Sequence, residues 1–191
     1  MRLIKILLPL LLAALCGHAA VLQIMSLDQM SDQSSAVLYG KIVASRMEWN
    51  SRHTSIVTIY TVKASRYLKG GLGDTFELTE LGGQVGNLVM NADGVPKFAA
   101  GEEIVLFVWT DGTYHLNQAI GFEQGVFRVR TDAASGLKYV NRNVPLAPAG
   151  QLVNSERATG FQQSRELNSF LAQVGASVSR VAQQHKTGVR Q

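Results

Sequence analysis

Hydrophobic and polar positions fall into three regimes along the chain. Arg2 and Lys5 precede an apolar run from Ile6 to Leu15, and Gly17-His18-Ala19 follows with small residues at the −3 and −1 positions of a cleavage site. That order predicts a secretory signal peptide over residues 1–19, cut between Ala19 and Ala20. An apolar run of ten residues is too short to cross a bilayer, which takes ~20. Cys16 raises the question of lipid attachment, but Leu15 before it is not the small residue such a site takes.

The second regime is dominated by strand patterns. Ser26 and Gln29 are spaced as a capping box, which predicts a short helix with Leu27 and Met30 on its apolar edge, ending near Ser34. Ala36–Ala44 and Ser55–Val62 are rich in strand formers, and Gly40 marks a bulge or a close backbone approach. Phe76 and Leu78 alternate with polar neighbours, as in a half-buried strand. Ile104–Trp109 is apolar at every position and predicts a central strand, with Asp111-Gly112 after it as a type I′ hairpin turn. Strands over Tyr114–Gln118, Val126–Arg130 and Lys138–Asn141 complete the set, the last two joined through Ser135-Gly136.

Short strands with no helix between them argue for an antiparallel arrangement. The expected fold is mainly β: an antiparallel OB-like β-barrel or small sandwich. In the third regime Leu167, Phe170, Leu171, Val174, Val178 and Val181 follow helical spacing, predicting an amphipathic helix from about Gln162 to Ala182 whose stripe packs onto the barrel. The expected layout is therefore a leader over 1–19, a β domain over 20–150, a C-terminal helix within 151–182 and a disordered tail over 183–191.

Composition narrows the function. Hydrophobic residues make up 46% and charged residues 17% of 191 positions, as in a folded protein of one domain. Loss of the leader removes Arg2, Lys5 and Cys16, leaving 16 basic against 14 acidic residues and no cysteine. Disulfides, thiolate catalysis and zinc–thiolate sites are excluded from such a mature chain. A net charge of +2 with no basic stripe in the sequence argues against a nucleic-acid partner.

The order of signatures resembles a known set. Ala36-Val37-Leu38-Tyr39-Gly40-Lys41-Ile42, Tyr67-Leu68-Lys69-Gly70, Leu81-Gly82-Gly83, Val95-Pro96-Lys97-Phe98, Gly101-Glu102-Glu103-Ile104 and Gln124-Gly125-Val126-Phe127 together resemble a group of uncharacterised secreted bacterial proteins, over about residues 26–141. More remotely, the progression from a strand to Leu-Lys-Gly to Gly-Glu resembles the netrin-like module, the OB-type barrel of tissue inhibitors of metalloproteinases. That likeness implies a fold, not a function. In those inhibitors an N-terminal cysteine presents its amine and carbonyl to the protease zinc. The mature start Ala20-Val21-Leu22 has no such cysteine.

Candidate chemistry is sparse. Trp49, Arg52 and His53 fall together between the first two long strands, where an aromatic beside cations suits a sugar, base or peptide ring. They are the ligand-binding candidates. Gly82-Gly83-Gln84-Val85-Gly86 misses the phosphate-loop spacing and reads as a glycine bulge. Asn91-Ala92-Asp93-Gly94 lacks a first calcium ligand, because Val89 stands there, and reads as a turn. Ser135-Gly136-Leu137-Lys138 and Lys186-Thr187-Gly188 match two penicillin-enzyme motifs only by coincidence, since Ser135 sits in a glycine turn. His53, His115 and His185 lie far apart with no close carboxylate, so no metal site is expected, and His115 should face solvent. Glu102 and Glu103 are adjacent on a strand and point to opposite faces.

These readings make the chain an exported, non-enzymatic binding protein, periplasmic or extracellular, without a cofactor and with a protein such as a secreted protease, or a glycan, as partner. Two alternatives stand beside it. One is a metal-independent or weakly metal-dependent hydrolase assembled only in three dimensions, using His53 or His115 with Asp93 or Glu80. The other is a structural envelope component.

Overall fold

A computed structural model of the chain describes residues 24–142 and 165–188. The leader, Cys16, the mature start at Ala20, Pro145 and Pro148 lie outside the described residues. A short helix α1 (Leu27–Gln33) opens the fold. It is followed by β1 (Ala36–Trp49), β2 (Ile56–Lys69), β3 (Thr75–Leu81), β4 (Gly83–Val85), β5 (Leu88–Met90), β6 (Glu103–Thr110) and β7 (Asn117–Ala119). A 3₁₀ turn over Phe122–Gly125 leads into β8 (Val126–Thr131) and β9 (Lys138–Asn141). The described chain ends with β10 (Arg165–Glu166) and α2 (Leu167–Gly188).

The fold is mainly β and antiparallel, with one short N-terminal and one C-terminal helix. The main sheet runs β10-β9-β8-β6-β1-β2-β3, with β7 paired to β6, while β4 and β5 form a separate hairpin. The ladder is open, with β10 and β3 at its ends, and is not closed into a barrel. β6 is central, as its unbroken apolar run predicts, and it divides its side chains between two cores. Val105 and Phe107 pack with Val37, Phe127, Val129 and Val140 under the two helices. Ile104, Leu106 and Val108 pack with Leu38, Tyr60 and Leu78 on the opposite face. There the sheet curls until β3 approaches β7, where Asn117 Nδ2 donates to the Glu77 carbonyl at 3.0 Å.

α1 forms as its capping box predicts. Ser26 Oγ accepts from Gln29 N, and Gln29 Oε1 accepts from Ser26 N. Its C-terminal end is capped from a distance by Lys69, whose Nζ donates to the Ser31 and Asp32 carbonyls at 2.7 and 2.9 Å. Gly40 sits where β1 and β2 crowd together. A Cβ there would lie 2.6 Å from the Lys63 carbonyl oxygen, which is the close approach its sequence position implied.

Four expectations are corrected. Asp111-Gly112 does not make a two-residue type I′ turn. The loop spans residues 111–116 instead, because the Asp111 carboxylate accepts from Thr113 N and Tyr114 N, and the positive φ falls on His115 (54°). The strand after it is therefore Asn117–Ala119 rather than Tyr114–Gln118. α2 begins at Leu167, not near Gln162, because the Glu166 carboxylate accepts from Asn168 N and Ser169 N at 2.9 Å each. It also runs through residues 183–188, expected as disordered tail. His185 Nε2 lies 2.6 Å from Asp32 Oδ1 of α1, and Thr187 Oγ1 donates to the Gln183 carbonyl. The stripe packs as predicted, with Phe170 4.6 Å from Phe127 between ring centroids. Among the described residues no helix is long and apolar enough to cross a membrane.

Candidate functional site

β1 and β2 extend as a two-stranded ribbon, paired to Trp49 and Ile56, beyond the last β1–β6 pair at Lys41 and Glu103. The turn at its end is organised by Asn50. Its Oδ1 accepts from Thr54 N at 2.9 Å and Ser55 N at 3.3 Å, and its backbone N donates to the Ser55 carbonyl. Asn50 O also accepts from His53 N, which places His53 in the left-handed region at φ 54°. A side chain costs ~1–2 kcal/mol in that conformation. The His53 ring stacks on Trp49, with centroids 6.4 Å apart and planes 19° from parallel.

Arg52 turns the other way. Its guanidinium lies 5.2 Å from the centroid of Tyr114 and donates to the Tyr114 hydroxyl. Tyr114 belongs to the 111–116 loop, so two separate hairpin tips meet in one exposed surface. Trp49, Arg52 and His53 are thus brought together as the sequence suggested, and Tyr114 is the contributor that sequence reading missed. Nothing local to Tyr114 marks it, because its partner is 62 residues away. Like His53, His115 is an exposed left-handed residue in the neighbouring loop, and its expected exposure is found there rather than on a strand.

A second cluster lies inside the curled face. Glu80 of β3 is 4% exposed, and its Oε1 accepts from Ala119 N at 2.7 Å. Burial pushes its carboxyl up to about 8, against the pull of that N–H, with Glu123 adding repulsion. Burial also raises Glu123, countered by Arg128. Arg128 donates to Glu102 at 2.9 Å and Glu123 at 2.5 Å, and its guanidinium lies 5.5 Å from the Phe98 ring centroid. Phe98 meets Tyr60 edge-on at 5.0 Å, and burial raises the Tyr60 phenol.

The remaining candidates are dispersed. Glu102 and Glu103 diverge as predicted. Glu102 pairs with Arg128, while Glu103 accepts from Tyr39 and Lys138 on the helix side. Gly83 is held at φ 140° where a Cβ would lie 2.9 Å from Thr58 Oγ1, so the glycine run serves a close approach between backbone and β2. Ser135 bonds to Asp132 in an exposed turn. Asp93 lies in the loop before β6. Among the described residues a histidine meets a carboxylate where His185 contacts Asp32, with the His185 side chain 69% exposed. No group of three or more His, Cys, Asp or Glu that could hold a metal occurs among the described residues. No protein-family model matches the chain, and no curated protein matches it.

Proposed function

We propose that the chain is an exported, non-enzymatic binding protein of the cell envelope or extracellular space, engaging a protein or glycan through the paired tips of β1–β2 and β6–β7. The observation that carries this is the Arg52–Tyr114 contact, which joins the two tips beside the Trp49–His53 stack. The exposed Tyr114 ring, the half-buried Trp49 ring and a guanidinium fixed in advance lose little entropy on binding a planar partner. The seam where β3 meets β7 through side chains supports a finer reading of the sheet as an opened OB-type barrel of the netrin-like kind, whose loops face the ligand. A leader cut before Ala20 completes the reading, and N-terminal sequencing of protein secreted by an expressing bacterium reads that cut directly.

The test is capture from secreted and envelope fractions with wild type, Trp49→Ala and Tyr114→Ala. A single saturable protein or polysaccharide, held by wild type and lost by both variants at unchanged melting temperature, supports the proposal. Equal capture by the variants overturns it. So does hydrolase turnover by the purified protein that Glu80→Gln abolishes.

A further inference from the structure

The helix-side face of the sheet carries a group of cations that the hairpin-tip reading leaves unused. Lys41 of β1 and Lys63 of β2 stand directly opposite each other, and in the adjoining row Tyr39 stands opposite Arg66. Lys41, Lys63 and Arg66 are all exposed. On its other side Lys41 faces Glu103 of β6. That carboxylate is already engaged, accepting from Lys138 Nζ at 2.7 Å and from Tyr39 at 2.5 Å. Lys138 and Tyr39 hold Glu103 below the usual carboxylate range, with Lys41 contributing from further off. Among the described residues no salt bridge engages Lys41, Lys63 or Arg66. Further along the same face Arg46 pairs with Glu48 and Glu77, so five cations stand against three carboxylates and leave two positive charges uncompensated, with Lys41, Lys63 and Arg66 outside these pairs.

Two lysines directly opposite on neighbouring strands repel each other and destabilise the pairing. A bound anion would reverse the sign of that interaction. The charges are also spread, about 5 Å from strand to strand and about 7 Å along each strand between rows. A single phosphate calls for converging donors, whereas spread cations on a sheet face suit repeated charges on an extended polymer. The one aromatic side chain in the group, Tyr39, is half-buried with its hydroxyl engaged, so it offers no platform for stacking a nucleic-acid base.

We infer that the face bearing Lys41, Lys63 and Arg66 is a second binding site, separate from the hairpin tips, for an anionic polysaccharide carrying carboxylates. It stands whether or not the tips bind their own ligand. The contact is electrostatic and therefore salt-sensitive.

The experiment measures binding of polygalacturonate to the full mature chain at low ionic strength. Wild type binds, and affinity falls as sodium chloride is added. Lys41→Gln and Lys63→Gln each weaken binding about fivefold, from the loss of one surface charge interaction. The double variant loses binding, while its melting temperature without polymer equals or exceeds that of wild type. Arg130→Gln removes the same charge from the opposite face and leaves binding unchanged. Trp49→Ala leaves it unchanged too, which separates this site from the tip reading. The inference is overturned if wild type does not bind, if Arg130→Gln costs as much as Lys63→Gln, or if duplex oligonucleotide or anionic phospholipid vesicles bind the same face more tightly than the polysaccharide.

Discussion

Glu80 illustrates how one side chain can be tied to both architecture and pH. Its carboxyl accepts the Ala119 N–H across the seam between β3 and β7, where water is excluded. Because the folded state holds the proton up to about 8 and the unfolded chain releases it near 4.5, this group makes stability fall as pH rises between those values. Glu80→Gln keeps the acceptor and removes the charge. We expect the variant to melt above wild type at pH 8 by an amount equivalent to about 1–3 kcal/mol, with the gap closing towards pH 5. Melting curves across that range check it, and a gap constant with pH would sink it. His53 poses the opposite trade. Asparagine tolerates the left-handed region better than histidine, so His53→Asn should gain up to about 1 kcal/mol in denaturant unfolding. The same change removes the ring that stacks on Trp49, so capture of the tip ligand should weaken.

Elements whose determinants are local in sequence were legible; those fixed by distant partners were not. α1 was readable because Ser26 and Gln29 sit three residues apart, and β6 because every position is apolar. The stripe of α2 was readable for the same reason, although its start awaited the Glu166 carboxylate and its last turns awaited Asp32. The outer end of β1, residues 45–49, escaped notice because side chains such as Arg46 and Glu48 face solvent and leave no hydrophobic alternation, whereas the stretch of β2 it pairs with, Ile56–Tyr60, was legible from its β-branched run. At the tip, Trp49, Arg52 and His53 fall within five residues and were visible together, whereas Tyr114 was not. The Asp111 turn depends on a side chain replacing a backbone turn, which the dipeptide Asp-Gly does not reveal. Asp111→Ala should therefore release the 111–116 loop and weaken tip binding severalfold while leaving β6 intact. Hydrogen exchange of the loop and of β6 amides distinguishes that outcome from general unfolding. Ser26→Ala should cost about 1 kcal/mol in chemical denaturation. A seven-residue helix cannot persist by itself, so the loss is felt by the whole fold rather than by α1 alone.

At the scale of the molecule, the open sheet is stable because each face is covered by a different device. One face curls onto itself and is joined by side chains at the β3–β7 seam. The other relies on α2, whose Leu167, Phe170, Leu171, Val174 and Val181 are all at least nine-tenths buried. Burying five such side chains contributes roughly 7–15 kcal/mol, the size of a whole domain's stability. α2 is therefore an integral part of the core rather than a detachable arm. Phe170→Ala, which empties the space beside Phe127, should cost about 3–5 kcal/mol in denaturant unfolding. Native-state hydrogen exchange provides the sharper test, since it reads each element separately. If α2 opens only with the domain, its amides around Phe170 and Val174 exchange with the same free energy as those of β6, and Phe170→Ala lowers both together. Exchange of α2 far ahead of β6, with β6 unmoved by the substitution, would instead mark the helix as a lid over a sheet that stands without it.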